Sequence, residues 1–338
     1  MHTRFSAGRL QRLARNFLLF AAGISMSAAS LAQTPPTDIK LALSSNNMAL
    51  APVRIAQEAG IFKKHGLNVE ITIMDSGNAA MAALLSGSAQ LAAPGLSEAL
   101  LARARGQKIV VIANIIRGLS MTMVVSKAVA EKHQLKPDSP LSERLRALDN
   151  ITVALPSATS PSVPAFKGAA STEGSTFKTV YMAQPAMVPA LETGAIDAIV
   201  AGPPNWFGPV ARGNAYVWVS APGGEIPSRF NTASSACLQA MESYAKANPK
   251  VIEAVRNSMA EVAEMVEKRP EEIIGYLTKA YPQVDANTVQ MVAESLSPAW
   301  IHPVITADDI KHEFVVMQGS GITAPGLDKL DPRSIVEF

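Results

Sequence analysis

The sequence predicts an α/β protein of two similar α/β domains around a cleft, followed by a helical tail. Three observations carry that expectation. A helix–glycine–strand–glycine unit occurs twice, as LLSGSAQLAAPG at residues 84–95 and as LETGAIDAIVAG at 191–202. Apolar runs suited to strands lie in the first two thirds of the chain, and helical periodicity fills the rest. The 338 residues are 48% hydrophobic and 17% charged, a globular composition with enough chain for two domains.

The repeated unit has a physical reading. Gly87 and Gly194 can take the left-handed conformation that ends a helix. Residues 89–93 and 196–201 are short apolar runs suited to buried parallel strands. Copies about 107 positions apart imply two halves built alike. The cleft between two such halves is the default place for a small ligand. Against this stands coincidence, because Leu-x-x-Gly before a strand is common in α/β proteins.

The N-terminal segment is a separate object. Arg4, Arg9, Arg12 and Arg15 precede an apolar stretch at 17–32, and no acid appears before Asp38. Ser30 and Ala32 put small residues at the −3 and −1 positions of a cut after Ala32. Residues 1–32 therefore read as a secretory signal peptide. The stretch is interrupted by Gly23, Ser25 and Ser27 and is shorter than a membrane span of ~20 residues. No paired arginines point to the twin-arginine route, and no Cys follows the stretch to accept a lipid. Loss of these four arginines leaves 26 of 30 basic residues against 28 acidic ones. The basicity belongs to the leader, and a nucleic-acid surface is unsupported. Cys237 is the only cysteine, so no internal disulfide forms; it reads as a small buried residue.

The elements follow in order. Alternation at 39–43 predicts a first strand, and Ser44, Ser45, Asn46 and Asn47 a polar loop. A helix at 49–59 is stopped by Gly60, and Gly66 turns the chain into a second strand at 67–73. Asp75, Ser76, Gly77 and Asn78 read as a helix N-terminus. A helix after Ser97 ends at Gly106, before strands at 109–115 and 121–125. Residues 127–148 form two helical pieces broken around 137–140. Then come a strand at 151–155, a helix at 161–172, a strand at 180–182 and a helix at 185–193. The loop from Pro203 to Trp206 opens a helix to Arg212, and 215–219 is a strand. Past Gly223 and Gly224, residues 232–238 form one more strand. Val251, Val255, Met259, Val262 and Val266 repeat at three and four within a helical region spanning 239–318. Pro270, Pro282, Pro298 and Pro303 separate its later helices.

AGIFKKHGLNVEI at 59–71, the two Leu-x-x-Gly–strand units and DNITVA at 149–154 together resemble the substrate-binding proteins of ABC importers for nitrate, sulfonates, taurine and thiamine precursors. The similarity runs in order over about residues 39–317. The resemblance implies a type 2 periplasmic binding protein fold. In it, residues 38–120 and 222–338 form one discontinuous domain, with the helical tail packed on it, and 121–221 form the other. The crossings fall near 118–124 and 219–231. It also implies a small-molecule ligand held between hinged domains. Its partners would be an ABC permease and ATPase of the inner membrane that read the closed form. On this reading the protein is a periplasmic monomer with no cofactor, no metal and no nucleic-acid partner.

Open α/β sheets bind ligands beyond the carboxyl ends of their strands. That rule selects Ser45, Asn46 and Asn47 after the first strand, and Ser76, Gly77 and Asn78 after the second. It selects Gly95, Leu96 and Ser97 after the first repeat strand, and Ser157, Ala158, Thr159 and Ser160 after the strand at 151–155. Pro203, Asn205 and Trp206 follow the second repeat strand. The group from Ser157 to Ser160 offers hydroxyls and free backbone N–H groups at a helix start, which favours an anion by ~0.3–1 kcal/mol. Plain N-capping needs only one of those hydroxyls. Ser76 to Asn78 has the same two readings, with Asp75 disfavouring an anion. Trp206 either covers a ligand face or packs in the core. Arg117 and Arg229 either make a bidentate contact to a carboxylate or sulfonate, or are solvated. Glu98 in the cleft favours a cationic or amine-bearing ligand; at a helix start it complements the dipole.

These loops lead to a small organic anion, a sulfonate or carboxylate and aromatic or aliphatic, as the expected ligand. A thiamine-precursor pyrimidine is the alternative, through Glu98 and Trp206. An enzyme on the same fold is the rival class. The chain has no G-x-S-x-G, no G-x-x-x-x-G-K-[ST] and no G-x-G-x-x-G. His65, His133, His302 and His312 lack metal-like spacing with one another or with Cys237. The chain therefore reads as a binding protein and not an enzyme. A periplasmic sensor feeding a different receptor stays open.

Overall fold

A computed structural model describes residues 35–156 and 160–338. The expected signal peptide at 1–32, and Ser157, Ala158 and Thr159 of the candidate site, lie outside the described residues. Among the described residues, ten strands form two five-stranded sheets: β1 (Thr37–Leu43), β2 (Leu67–Ile73), β3 (Leu91–Ala93), β4 (Ile109–Arg117), β5 (Thr122–Ser126), β6 (Thr152–Leu155), β7 (Lys178–Tyr181), β8 (Ala198–Ala201), β9 (Ala215–Ser220) and β10 (Ser234–Met241).

The first sheet has the order β2-β1-β3-β10-β4 and the second β7-β6-β8-β5-β9. In the first, β1 runs parallel to β2 and β3, in register from Thr37 opposite Leu67 to Leu43 opposite Ile73, and β10 is antiparallel to β3 and β4. In the second, β6 runs parallel to β7 and β8, and β5 is antiparallel to β8 and β9. The two orders are the same arrangement. Each sheet takes one antiparallel strand from a chain that has just crossed from the other. The crossings are the segments between β4 and β5 and between β9 and β10.

Helices α1 (Ala51–Glu58), α2 (Ile61–Lys64), α3 (Gly77–Ser86) and α4 (Leu96–Ala104) belong to the first half. Helices α5 (Lys127–His133), α6 (Leu141–Arg146), α7 (Ser162–Ser171), α8 (Gln184–Glu192) and α9 (Phe207–Ala211) belong to the second. The repeated units fold as read. Gly87 ends α3 at φ 77°, Gly194 follows α8 at φ 74°, and β3 and β8 follow them. The buried strands β3 and β8 are apolar throughout because both faces are covered.

The tail is α10 (Glu242–Ala247), α11 (Pro249–Lys268), α12 (Pro270–Ala280), α13 (Ala286–Trp300), α14 (Ala307–Gly319) and α15 (Arg333–Val336). It packs on the first half: α11 and α12 against α1, α13 and α15 against β4, and α14 against α4. Along α11, Val251, Val255, Met259, Val262 and Val266 are all buried, each such side chain contributing ~1.5–3 kcal/mol. Arg256 donates to the carbonyl of Ile112 at 3.1 Å, tying α11 to β4. Pro298 does not separate two helices; it lies inside α13. A proline removes one backbone bond, and burial of Leu296, Ala299 and Trp300 carries the helix through. The last predicted strand is also longer than read. It starts at Ser234 and runs to Met241, because burial from Ala236 to Ala240 extends the ladder with β4.

Candidate functional site

The carboxyl ends of β1, β2 and β3 present three of the selected loops. After β1, Ser45 Oγ accepts from Asn47 N at 3.3 Å, and Asn47 Oδ1 caps the next turn by accepting from Ala49 N at 2.8 Å. Ser45 is half-buried, and Asn46 and Asn47 are exposed. After β2, Ser76 caps α3 through Ala79 N at 3.2 Å, with Gly77 half-buried and Asn78 exposed. After β3, Gly95 precedes α4, Leu96 is fully buried, and Ser97 Oγ donates to Glu313 at 2.9 Å.

Glu98 joins the second and third of these loops. A Cβ on Gly77 would stand 3.0 Å from its Oε1, and a Cβ on Gly95 would overlap its Oε2 and lie 3.1 Å from the carbonyl of Ser235. Glycine at both places lets the carboxyl lie against the first turns of α3 and α4. That position is where the free N–H groups of a helix favour negative charge. Burial pushes the Glu98 carboxyl above its ordinary range; a hydrogen bond to its own backbone N–H opposes the shift, and nearby Glu313 adds to it. Beneath it, Gln239 donates to the Gly95 carbonyl at 2.9 Å, while its own buried Oε1 has no partner among the described residues. Burial also pushes the Cys237 thiol up to about 12, so it is inert.

In the second half, Ser160 follows the loop after β6. Its Oγ lies 2.7 Å from Ser162 Oγ and accepts from Ser162 N at 3.3 Å, contacts within the turn that leads into α7. After β8, Gln184 Oε1 accepts from Gly202 N at 3.0 Å and from Asn205 Nδ2 at 2.9 Å. Asn205 also donates to the Gly202 carbonyl at 3.0 Å. Pro203 is buried, and its peptide bond to Pro204 is cis. This braced loop presents Trp206, which meets Phe207 edge to face with ring centroids 4.2 Å apart. Trp206 is only 6% exposed, and its indole N–H has no partner among the described residues. Trp206 and Phe207 belong to one apolar cluster with Met48, Leu50 and the tail, so apolar contact is continuous across the two halves.

The two arginines are engaged elsewhere. Arg117 pairs with Asp309 at 2.8 Å. It lines a cavity of about 370 Å³ at the crossings with Asn231, His302 and His312. The Arg229 guanidinium lies 4.7 Å over the Phe230 ring. Phe230 in turn presses on α7, where a Cβ on Gly168 would stand 2.5 Å from its ring. The structure thus brings Gly77, Gly95 and Ser97 together around Glu98, and Asn205 and Trp206 together around Gln184. It does not bring Arg117 or Arg229 to either group. Gln184 and Glu313 carry no local signal in the sequence; each acts on residues remote in the chain. Glu98 had one, an acid in a first helical turn. Among the described residues no His, Cys, Asp and Glu cluster could hold a metal, and no helix is long and apolar enough to cross a membrane.

Known proteins share this architecture. A protein of Bordetella bronchiseptica RB50 superposes with a TM-score of 0.63 at 21% identity, covering 89% of this chain and 94% of its own. The periplasmic aliphatic sulphonate binding protein of Escherichia coli gives 0.65 at 15% identity, covering 89% and 99%. The periplasmic nitrate-binding protein of Synechocystis PCC 6803 gives 0.57 at 15% identity, covering 87% and 86%. These likenesses establish the fold as that of periplasmic binding proteins. No curated protein sequence matches the chain. A family model described as NMT1/THI5 like matches residues 47–273, most of the chain, which bears out the resemblance read from the motifs: the chain belongs to the NMT1/THI5-like family.

Proposed function

We propose that this protein is the solute-binding component of an ABC importer, exported by a signal peptide cut after Ala32 and acting in the periplasm as a monomer. One hinged domain comprises residues 38–120 and 222–338, and the other 121–221. A small organic molecule binds between them and leaves unaltered, delivered to a permease and ATPase in the inner membrane. The observation that carries this reading is the exchange of β5 and β10 between two like sheets. Two crossings then join halves whose strand ends carry the braced loops around Glu98 and Gln184, the geometry of a hinged clamp. The binding proteins named above supply the same role by likeness of fold.

The ligand is a sulfonate or carboxylate whose anionic group falls to the loop at 157–160, ahead of α7. The hydroxyl run there and the helix start support this. A second reading, an aminopyrimidine of the thiamine-precursor kind, is favoured by one observation. The Glu98 carboxyl already lies against the N-termini of α3 and α4, so the first half offers acceptors rather than a seat for an anion.

A thermal-shift screen of sulfonates, carboxylates and aminopyrimidines tests both. Ligand at ~100 times its Kd should stabilise the folded chain by ~2.7 kcal/mol. Mass spectrometry of the hit should return it unchanged. A converted compound would replace the binding role with an enzymatic one.

A further inference from the structure

The second crossing is held by two consecutive residues of α14. His312 Nε2 donates to the Asn231 carbonyl at 2.8 Å. Glu313 accepts from Thr232 Oγ1 at 2.6 Å and from Ala233 N at 2.9 Å. The first crossing is tied to the same segment. Leu119 N donates to Asn231 Oδ1 at 2.9 Å, Gly118 N to the Ala233 carbonyl at 3.3 Å, and Ser235 Oγ to the Gly118 carbonyl.

Glu313 has a third donor of different origin. Ser97 Oγ reaches it at 2.9 Å from the first turn of α4, one residue before Glu98. Glu313 is 1% exposed, and among the described residues no lysine, arginine or histidine pairs with it. A carboxylate buried without a cation is costly unless its oxygens are fully hydrogen-bonded. Here that satisfaction requires two segments, the α4 turn and the second crossing, to meet at one side chain. Moving either one leaves a buried acceptor short of a donor.

We propose that Glu313 is a positioning residue of the ligand site, locking the α4 turn that carries Ser97 and Glu98 to the second crossing at Thr232 and Ala233. Displacement of the crossing as the halves close then shifts the Glu98 turn, and an occupant of that turn biases the crossing. This rests on the reading of two halves that close on a ligand. The rise of the Glu98 carboxyl caused in part by Glu313 is a second trace of the same proximity.

The test places dyes on cysteines introduced at Thr72 and Tyr181, exposed residues on β2 and β7, the corresponding edge strands of the two sheets. Cys237 is fully buried and stays unlabelled. Single-molecule energy transfer then reads the distribution of distances between the halves in the full chain. Ser97→Ala and Thr232→Val should each change the ratio of open to closed forms about two- to tenfold, the range of one hydrogen bond. The double variant should change it no more than the larger single one, because both act through Glu313. Additive effects, or melting points that fall while the distances stay fixed, would overturn the proposal.

A second readout needs no hinge. Carboxyl carbon NMR of Glu98 should show its titration midpoint lower in Glu313→Gln than in the wild type, and an unchanged midpoint also overturns the proposal. The binding-protein reading fails separately, if the wild type keeps a single distance with every compound of the screen while the Glu98 midpoint still moves.

Discussion

The carboxyl of Glu98 lies directly against Gly95, close enough that a Cβ there would overlap Oε2. Gly95 has an ordinary extended backbone at φ −73°, so it is contact and not conformation that demands glycine. Gly95→Ala should therefore force Glu98 out of its position against α3 and α4 and press on the Ser235 carbonyl. Overpacking of this kind costs ~1–3 kcal/mol. Denaturant unfolding should show that loss, and calorimetric titration with the compound found in the screen should show weaker binding. A Gly95→Ala protein with unchanged affinity would place the ligand away from Glu98.

Glu98 also sets a pH dependence. Burial raises its carboxyl from the ordinary 4.5 in the folded chain. Between the two values the folded chain holds a proton that the unfolded chain has lost, so the folded state binds more protons and stability falls as pH rises. The contribution of Glu98 is thus most favourable at low pH and is lost as pH rises through the raised folded value. Glu98→Gln should melt higher than the wild type near neutral pH, with the difference vanishing below about pH 4.5. Melting curves across pH 4 to 8 measure this, and a variant that melts lower at neutral pH would show that the carboxylate is stabilised by an unseen partner.

The second half has its own buried charge. Arg144, 6% exposed, donates to the carbonyls of Ser139 at 2.9 Å and of Trp218, and pairs with Glu225. Glu225 accepts from Ser220 N at 2.7 Å, so the pair fixes the end of β9 where the second crossing begins. Arg144 is buried and Glu225 half-buried, so Arg144→Ala removes charge-assisted hydrogen bonds and leaves a partly solvated carboxylate, and should cost ~1.5–3 kcal/mol. Lys64→Ala breaks an exposed pair with Glu261, the lysine being 66% exposed, and should cost ~0–1 kcal/mol. Parallel denaturant titrations of the two variants make the comparison, and equal losses would refute it.

What the sequence made legible was local chemistry. Gly60, Gly87 and Gly194 end helices at positive φ, Ser76 caps α3, and the two repeated units become like elements of like sheets. These depend on neighbours within a few residues. What stayed hidden depends on distance along the chain. Arg117 meets Asp309 across 192 residues and Ser97 meets Glu313 across 216. An arginine near a crossing looks the same whether it faces a ligand or a carboxylate of the tail. The insertion of β10 between β3 and β4 is hidden for the same reason, since its ladder partners are set by where the crossing returns.

The three tryptophans differ in what their indole N–H groups meet. Trp218 and Trp300 are at most 2% exposed, and their indole N–H groups donate to the carbonyls of Arg144 at 2.7 Å and of Ala49 at 3.1 Å. Trp206 is almost as buried but has no such partner among the described residues. A buried donor without an acceptor costs ~1–3 kcal/mol. Trp206→Phe removes that cost and leaves a small cavity, and the two effects should cancel to within ~1 kcal/mol. Trp218→Phe leaves the Arg144 carbonyl bare and also opens a cavity, and should cost ~2–4 kcal/mol. Tryptophan emission supplies the functional half of the test. Trp206 stands on the loop braced by Gln184, so its emission should change when the screened ligand binds, and Trp206→Phe should abolish that change while Trp218→Phe keeps it. If Trp206→Phe instead destabilises the chain as much as Trp218→Phe and the emission change survives, Trp206 is a core residue with a satisfied N–H, and the loop after β8 does not face the ligand.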